Sequence, residues 1–262
     1  MADQTVQFVD GAAYERYMGK WSQLVGEQFL DWLAPKSGLR WLDVGCGNGA
    51  FTETIVQRCA PSSVKGIDPS EGQLAFARTR HALRDVELRQ ADAMALPYPD
   101  NAFDVAVMPL VIFFVPDPVK GVAEMTRVVG PGGIVAAYSW DMIGGGFPYE
   151  VLHDEMRRMA VMPAIAPSLD ASRIDVMKEL WTNAGLDSIE TRTITVQRTF
   201  ADFDDYWTTV RGGPSVGCKL AAMIPAELAV LKEKVRARVP SNADGRITYS
   251  SRANAIKGRV RD

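Results

Sequence analysis

The stretch "WLDVGCGNGAF", Trp41 to Phe51, places one carboxylate and three glycines between Asp43 and Gly49. An apolar run enters it and a helical period of apolar residues leaves it, so it reads as strand, tight turn and helix start. Glycines in such a turn leave no Cβ between backbone and ligand, and they predict N–H groups facing outward at a helix N-terminus. Gly45, Gly47 and Ala50 fit the spacing of a dinucleotide-binding turn. Asp68 follows at the end of a second strand, about 20 residues on, where a carboxylate can accept from both ribose hydroxyls. Asp43 separates the candidate ligands. A carboxylate so close to the first glycine repels a pyrophosphate and suits a ligand carrying an ammonium or sulfonium group. Its alternative reading is a turn or helix-capping acid.

Outward from the loop, strands and helices alternate. "YMGKWSQLVGEQFLDWL" is an amphipathic helix stopped at Ala34-Pro35. "RWLDV", "SVKGID", "VELRQAD", "FDVAVM" and "GGIVAAYSW" read as five strands, the β-branched "SIETRTITVQRTF" as a sixth and "RANAIKGRV" as a candidate seventh. Ser70 with Gln73 predicts a capping box for a helix through Leu74, Ala77 and His81, and Ser172 with Asp175 predicts another. Asp117 reads as an N-cap with Pro118 at N1. This order predicts an α/β fold with a mostly parallel sheet covered on both faces, and such sheets bind ligands beyond the carboxyl ends of their strands. Residues 1–38 form an expected helical cap and 39–262 the main domain. Two long inserts, about 141–171 and 201–245, are expected to form a helical lid over a second pocket, because long inserts in compact domains are usually functional or disordered.

Composition narrows the partners. The net charge is −3 and hydrophobic residues make up 47% of the chain, so neither a strongly acidic nor a strongly basic partner is implied. The cysteines, Cys46, Cys59 and Cys218, form no CxxC and have no histidine near them. A disulfide framework or zinc site therefore lacks support, and a reducing cytoplasm is the expected setting. The N-terminus lacks the pattern of a signal peptide, and the longest apolar stretch, Val105 to Val115, is far short of the roughly 20 residues of a membrane span. No metal is expected.

A third acid, Asp92, ends the third strand, where it can accept from an adenine amino group; its alternative is a loop-starting Asp. Three acids at three strand ends around one glycine loop carry a resemblance. "LDVGCGNG", "GIDPS", "QADAMALPYPDNAFDVAV" and "RVVGPGGIVAAYSW" together resemble the motif series of class I S-adenosylmethionine-dependent methyltransferases, of the ubiquinone/menaquinone-biosynthesis-type small-molecule branch. The likeness is dense from Leu39 to about Trp140 and weak from Arg173 to Phe200. It implies a Rossmann-like seven-stranded sheet whose last strand is antiparallel, placed between the fifth and sixth. It also implies S-adenosylmethionine as cofactor and S-adenosylhomocysteine as product. Gly45, Cys46, Gly47 and Gly49 would line the methionine part, with Asp43 helping to hold its amino group. Asp68 would take the ribose hydroxyls, with Pro69, Ser70 and Gln73 beside the adenosine. Asp92 and Ala93 would meet the adenine, and Met108 and Pro109 would pass the methionine chain. Tyr14 and Trp21 resemble a cofactor cap, though Trp21 equally suits a core anchor.

The acceptor side is less defined. Many relatives carry one or two histidines after the fourth strand, whereas this chain reads "VIFFVPDP". An aromatic, histidine-free wall suits an apolar or planar acceptor, or one that is already nucleophilic, and no catalytic residue is named. Phe113, Trp140, Phe147, His153, Tyr206, Trp207 and Arg211 are the expected pocket residues. Trp207 and Arg211, one helical turn apart, form a candidate receptor for a planar anionic group. Three rivals remain: an NAD(P)-dependent oxidoreductase, which lacks a placed proton donor; a nucleic-acid methyltransferase, hinted at by nine basic against three acidic residues from Lys232 to Asp262; and a non-catalytic cofactor-binding protein. A small-molecule acceptor is favoured over nucleic acid.

Overall fold

The computed structural model describes residues 15–213 and 216–261. Seven strands form one sheet in the order β3-β2-β1-β4-β5-β7-β6. They are β1 (Arg40–Val44), β2 (Ser63–Asp68), β3 (Glu87–Gln90), β4 (Phe103–Pro109), β5 (Val129–Trp140), β6 (Asp187–Phe200) and β7 (Ile247–Arg259). β1 pairs in parallel with β2 and β4, β2 with β3, and β4 with β5. β7 is antiparallel to both β5 and β6, as the resemblance implies, and begins earlier than its apolar core suggests.

The central strands read as continuous apolar runs because both their faces are covered; β1 and β4 are buried along nearly their whole length. α1 (Lys20–Leu33) lays Trp21, Val25, Phe29 and Leu33 on one face. Phe29 meets the Tyr138 ring of β5 at 4.8 Å. α1 ends where predicted, with Ala34 in the left-handed region. α2 (Ala50–Arg58) follows the glycine loop, and α3 (Glu71–Ala77) follows β2. α4 (Pro118–Val128) starts at the expected Asp117 cap.

Two capping expectations need correction. Ser70 Oγ accepts from Gln73 N–H, but the Ser70 N–H goes to Asp68, so Gln73 does not close the box. That helix also ends at Ala77, and His81 starts a separate 3-10 turn. Ser172 caps nothing: it lies in a 3-10 turn and its hydroxyl donates to the Leu169 carbonyl. α6 (Ile174–Asn183) starts behind Arg173, whose guanidinium takes Asp175.

The first insert carries α5 (Glu150–Arg158). The second carries α7 (Phe203–Arg211), α8 (Gly217–Ala222) and α9 (Pro225–Arg236). Arg238, just after α9, is paired with Asp154 and Glu155 of α5, so the second insert braces the first from behind.

Candidate active site

β1 lies between β2 and β4, where the strand order reverses, and open α/β sheets bind ligands at that point. The chain leaves β1 as the glycine loop. Gly45 has φ +77, and a Cβ there would stand 2.5 Å from Val111 Cγ2, so only glycine lets the two loops meet. The loop's N–H groups do not face outward as the glycines suggest. Those of Gly45 and Cys46 both donate to the Ile67 carbonyl, that of Gly49 to the Cys46 carbonyl, and that of Gly47 to Asp68 Oδ2 at 2.9 Å. A loop whose donors are already spent is a poor pyrophosphate cradle.

A cavity of about 300 Å³ opens over this loop. Gly45, Cys46, Gly47, Asp68, Pro69, Ser70, Gln73 and Pro109, all sequence-based candidates for the cofactor, line it. Asp68 is held by the N–H groups of Gly47 and Ser70, and burial pushes its carboxyl above the usual range against those two bonds. Gln73 is 2% exposed, and neither of its amide atoms has a hydrogen-bond partner. Buried polar atoms left this way mark a place for a ligand.

Asp43 stands behind the loop rather than on the cavity wall. It is fully buried; Thr52 Oγ1 donates to Oδ2 at 2.7 Å, while Oδ1 has no partner. Burial pushes its carboxyl up to about 7, the Thr52 bond opposing and the Asp68 charge adding. Gly49 is not on the wall either, because it packs against Leu83 and Ala77.

Other sequence-based assignments separate from this cavity. Trp21 is a core anchor: fully buried, it donates to Tyr149 OH at 3.0 Å and meets Trp140 edge-on. Its neighbour Ser22 reaches the cavity instead. Met108 points through the sheet into the opposite core, as the pleat requires of a residue next to Pro109. Asp92 is exposed, with one oxygen taken by Met94 N–H, and neither it nor Ala93 lines the cavity. Tyr14 lies outside the described residues.

A second cavity of about 390 Å³ adjoins the first, and Leu110 and Phe114 line both. Leu110 has φ +61, an unusual conformation for a side-chain-bearing residue, at the point where the two meet. Phe113, Trp140, Phe147 and His153, all sequence-based candidates for the acceptor pocket, line this cavity. Ile143, Met162 and Ile165, among the most exposed large apolar side chains of the described residues, also belong to its wall. Tyr206, Trp207 and Arg211 do not. Tyr206 is fully buried, Trp207 stacks on Phe203 with rings 6.1 Å apart, and Arg211 is exposed. Of the two inserts, 141–171 builds most of this cavity, and among the described residues 201–245 supplies no lining residue to either one. Sequence reasoning missed Ser22, Phe51, Leu110 and Val111, which carry no motif, and Asn48 and Tyr138, which lie inside quoted motifs but not at their charged or glycine positions.

The N-terminal segment is fastened to the loop. Asn48 Nδ2 and the Arg80 guanidinium both donate to Glu15 Oε2, and Arg80 also donates to the Asn48 carbonyl and to Glu53. Tyr17 and Met18, in the turn before α1, line the second cavity.

The fold and these cavities define an open α/β domain with a cavity over the glycine loop beside a second, mostly apolar one. Residues 42–137 match the family described as "Methyltransferase domain". Over 96 residues the chain is 42% identical to 2-methyl-6-phytyl-1,4-hydroquinone methyltransferase 2 of Oryza sativa, covering 37% of this chain and 28% of that protein. It is 38% identical over 102 residues to demethylmenaquinone methyltransferase of Staphylococcus aureus, covering 38% and 42%. The chain thus spans less than half the length of these relatives. Phosphoethanolamine N-methyltransferase 2 of Haemonchus contortus, solved with S-adenosyl-L-methionine, superposes with a TM-score of 0.60 at 19% identity, over 95% of this chain and 56% of that one. Residues 42–137 are thus similar to the methyltransferase domains of these two enzymes, and the fold is that of the superposed methyltransferase.

Proposed function

We propose that this protein transfers a methyl group from S-adenosylmethionine to a small, largely apolar acceptor. The observation that carries the reading is the pair of adjoining cavities: one is lined by Asp68 and by Gln73 with its unpartnered amide, the other by aromatic and aliphatic side chains. The names of the two relatives point to a quinol-type acceptor, and an apolar cavity walled by Phe113, Phe114 and Trp140 suits a planar ring.

In this reading Asp68 takes the ribose hydroxyls, with Pro69, Ser70 and Gln73 beside the adenosine. The loop from Gly45 to Gly49 takes the methionine end, with the Asp43 carboxylate behind it opposite the ammonium. Assignment of the adenine to Asp92 and Ala93 rests on the motif alone. S-adenosylmethionine brings a methyl group already activated for in-line displacement. The chain's own contribution is to hold the acceptor in line and exclude water, and positioning of that kind supplies about 7–11 kcal/mol in favourable cases. The first insert and the turn from Glu15 to Gly19 act as the lid over the acceptor. S-adenosylhomocysteine is the expected product, and a cytoplasmic setting follows the cysteine usage.

Nucleic-acid methylation is disfavoured by charge pairing. In the basic C-terminal stretch, Lys232, Arg236, Arg238, Arg252, Lys257 and Arg261 each lie in an ion pair with a carboxylate. Among the described residues, no helix is long and apolar enough to cross a membrane.

Calorimetric titration with S-adenosylmethionine, S-adenosylhomocysteine and NADH tests the cofactor. Both sulfur nucleosides are expected to bind, and Asp68→Ala to weaken them by about 1.5–3 kcal/mol, the scale of hydrogen bonds to a charged group. Binding of NADH alone would move the protein to the oxidoreductases. Mass-spectrometric detection of a methylated quinol then tests transfer, and cofactor binding with no methylated product from any quinol offered counts for a non-catalytic role.

A further inference from the structure

Trp140 closes β5, and its indole carries a donor that the protein leaves unused. The residue is 1% exposed and lines the second cavity, and its Nε1 is buried without a hydrogen-bond partner. The ring meets Trp21 edge-on, centroids 6.1 Å apart, a contact of ring on ring that gives Nε1 no oxygen or nitrogen to donate to. Two other buried indoles are served by the fold itself: Trp21 Nε1 donates to Tyr149 OH at 3.0 Å, and Trp181 Nε1 to the Val135 carbonyl at 2.9 Å. Trp41 Nε1 is unpartnered too, but Trp41 lines neither cavity. An unsatisfied donor on a cavity wall is a place where a ligand can supply the partner. The position along the strand adds a distance. Tyr138 and Trp140 share one face of β5, about 7 Å apart, and Tyr138 lines the cavity over the glycine loop. Trp140 lies beyond 42–137, where the family match ends.

We propose that Trp140 is a specificity-determining residue of the acceptor site, its indole N–H donating a hydrogen bond to a carbonyl or hydroxyl oxygen on an otherwise apolar, planar molecule. An indole N–H donates and never accepts, so the ligand must bring the lone pair. A hydrocarbon of the same shape would fill the cavity and keep the donor unsatisfied, which penalises the bound state. Much of the remaining wall offers such an oxygen no competing donor: Leu110, Phe113, Phe114 and Met142 are apolar, and Arg157 is taken by Glu150. The proposal deepens the methyltransferase reading and rests on it for the purpose of the cavity. The hydrogen bond itself is independent of the cofactor.

The chain has six tryptophans, so labelling them with nitrogen-15 gives six indole N–H signals to assign. The Trp140 signal is the one lost in Trp140→Phe, or the one left after the other five Trp→Phe variants if Trp140→Phe does not fold. The probes are 1-naphthol, 1-acetylnaphthalene and 1-isopropenylnaphthalene, the last a hydrocarbon with the shape of the ketone. Each is added with and without S-adenosylhomocysteine. The naphthol and the ketone are expected to move the Trp140 indole proton downfield, and the hydrocarbon is not. In Trp140→Phe, ketone affinity is expected to fall about three- to tenfold more than hydrocarbon affinity, the scale of one hydrogen bond. Comparing two ligands of one shape in the same variant cancels the repacking that loss of the indole brings. A Trp140 signal that responds alike to ketone and hydrocarbon would overturn the proposal and leave Nε1 facing the Trp21 ring. Equal losses of affinity for the two in Trp140→Phe would overturn it as well, and so would absence of binding by all three probes. Failure of S-adenosylhomocysteine to bind would count against the methyltransferase reading instead, leaving the comparison of ketone with hydrocarbon to decide the donor.

Discussion

Two cavities meet at Leu110 and Phe114, and different parts of the chain build them. The proposed cofactor cavity is made at strand ends and in the loops beyond them, and Asn48, Asp68 and Gln73 stand among its mostly apolar lining. The proposed acceptor cavity is made mostly by the first insert, largely from apolar side chains. In the first, polar atoms are held at a cost to the folded protein: Asp43 is fully buried with one oxygen unpartnered, and Gln73 has neither amide atom satisfied. In the second, Glu150 and Arg157 are paired with each other, while Trp140 Nε1 is buried without a partner. Both regions hold unsatisfied polar atoms, Gln73 in the first and Trp140 Nε1 in the second, but only behind the first is a buried carboxyl held as well. Substitutions on the two sides should therefore differ in kind.

The largest effect belongs to Asp43. Its carboxyl is pushed up to about 7 from 3.8, mainly by burial. Between those values the folded protein holds a proton that the unfolded chain has released, so stability falls as pH rises through that window and levels off above it. At about 1.4 kcal/mol per pH unit the full loss is at most about 4 kcal/mol. Asp43→Asn keeps an acceptor for Thr52 and removes the charge. It is expected to melt at a higher temperature than the native protein at pH 8, with the difference shrinking toward pH 4, and to bind S-adenosylmethionine more weakly. Melting curves that do not separate between pH 5 and 8 would mean that Asp43 is not a stored cost.

Next comes Arg80, whose side chain is 15% exposed and joins Glu15, Glu53 and the Asn48 carbonyl. Arg80→Ala is expected to cost about 1.5–3 kcal/mol, the range for charge-assisted hydrogen bonds. It should also release the N-terminal segment from the loop, seen as faster proteolysis ahead of α1 and faster dissociation of S-adenosylhomocysteine. Unchanged proteolysis would show that the aromatic contacts of Trp21 and Tyr149 hold the segment without the latch.

Gln73→Leu gives a smaller and cleaner contrast. The amide has no partner in the protein, so the free protein should be unharmed or slightly stabilised, while cofactor affinity drops by about 0.5–1.5 kcal/mol. A loss of stability without a loss of affinity would place the amide in the core rather than in the site.

The same division explains what could be read from the sequence. The cofactor loop was legible because its signal is local: glycines, an acid at each strand end, and strand-helix alternation. Its hydrogen bonding was not, because nothing local says that the Ile67 carbonyl will take two loop N–H groups. Met108 and Pro109 cannot both turn their side chains to one cavity, since neighbouring strand residues point to opposite faces. Trp21 was ambiguous because an aromatic on an amphipathic helix serves core and cap alike. On the acceptor side, Phe147 and His153 lie in an insert whose path no periodicity fixes. Tyr206 and Trp207, with equal aromatic character, instead fill the core between α7 and the sheet.

The smallest expected effect is the sharpest test of where the acceptor sits. Trp207 and Arg211 are one turn apart on α7, as their spacing predicts, yet Trp207 lies against Phe203 and Arg211 is exposed. Arg211→Ala should leave both 1-naphthol affinity and stability within about 0.5 kcal/mol of the native protein, as for a surface change away from any special feature. Phe147→Ala, on the cavity wall, should weaken the same probe measurably. If Arg211→Ala weakened it while Phe147→Ala did not, the acceptor would reach α7. The second insert would then be the lid, and the cavity beside Leu110 and Phe114 would belong to the core.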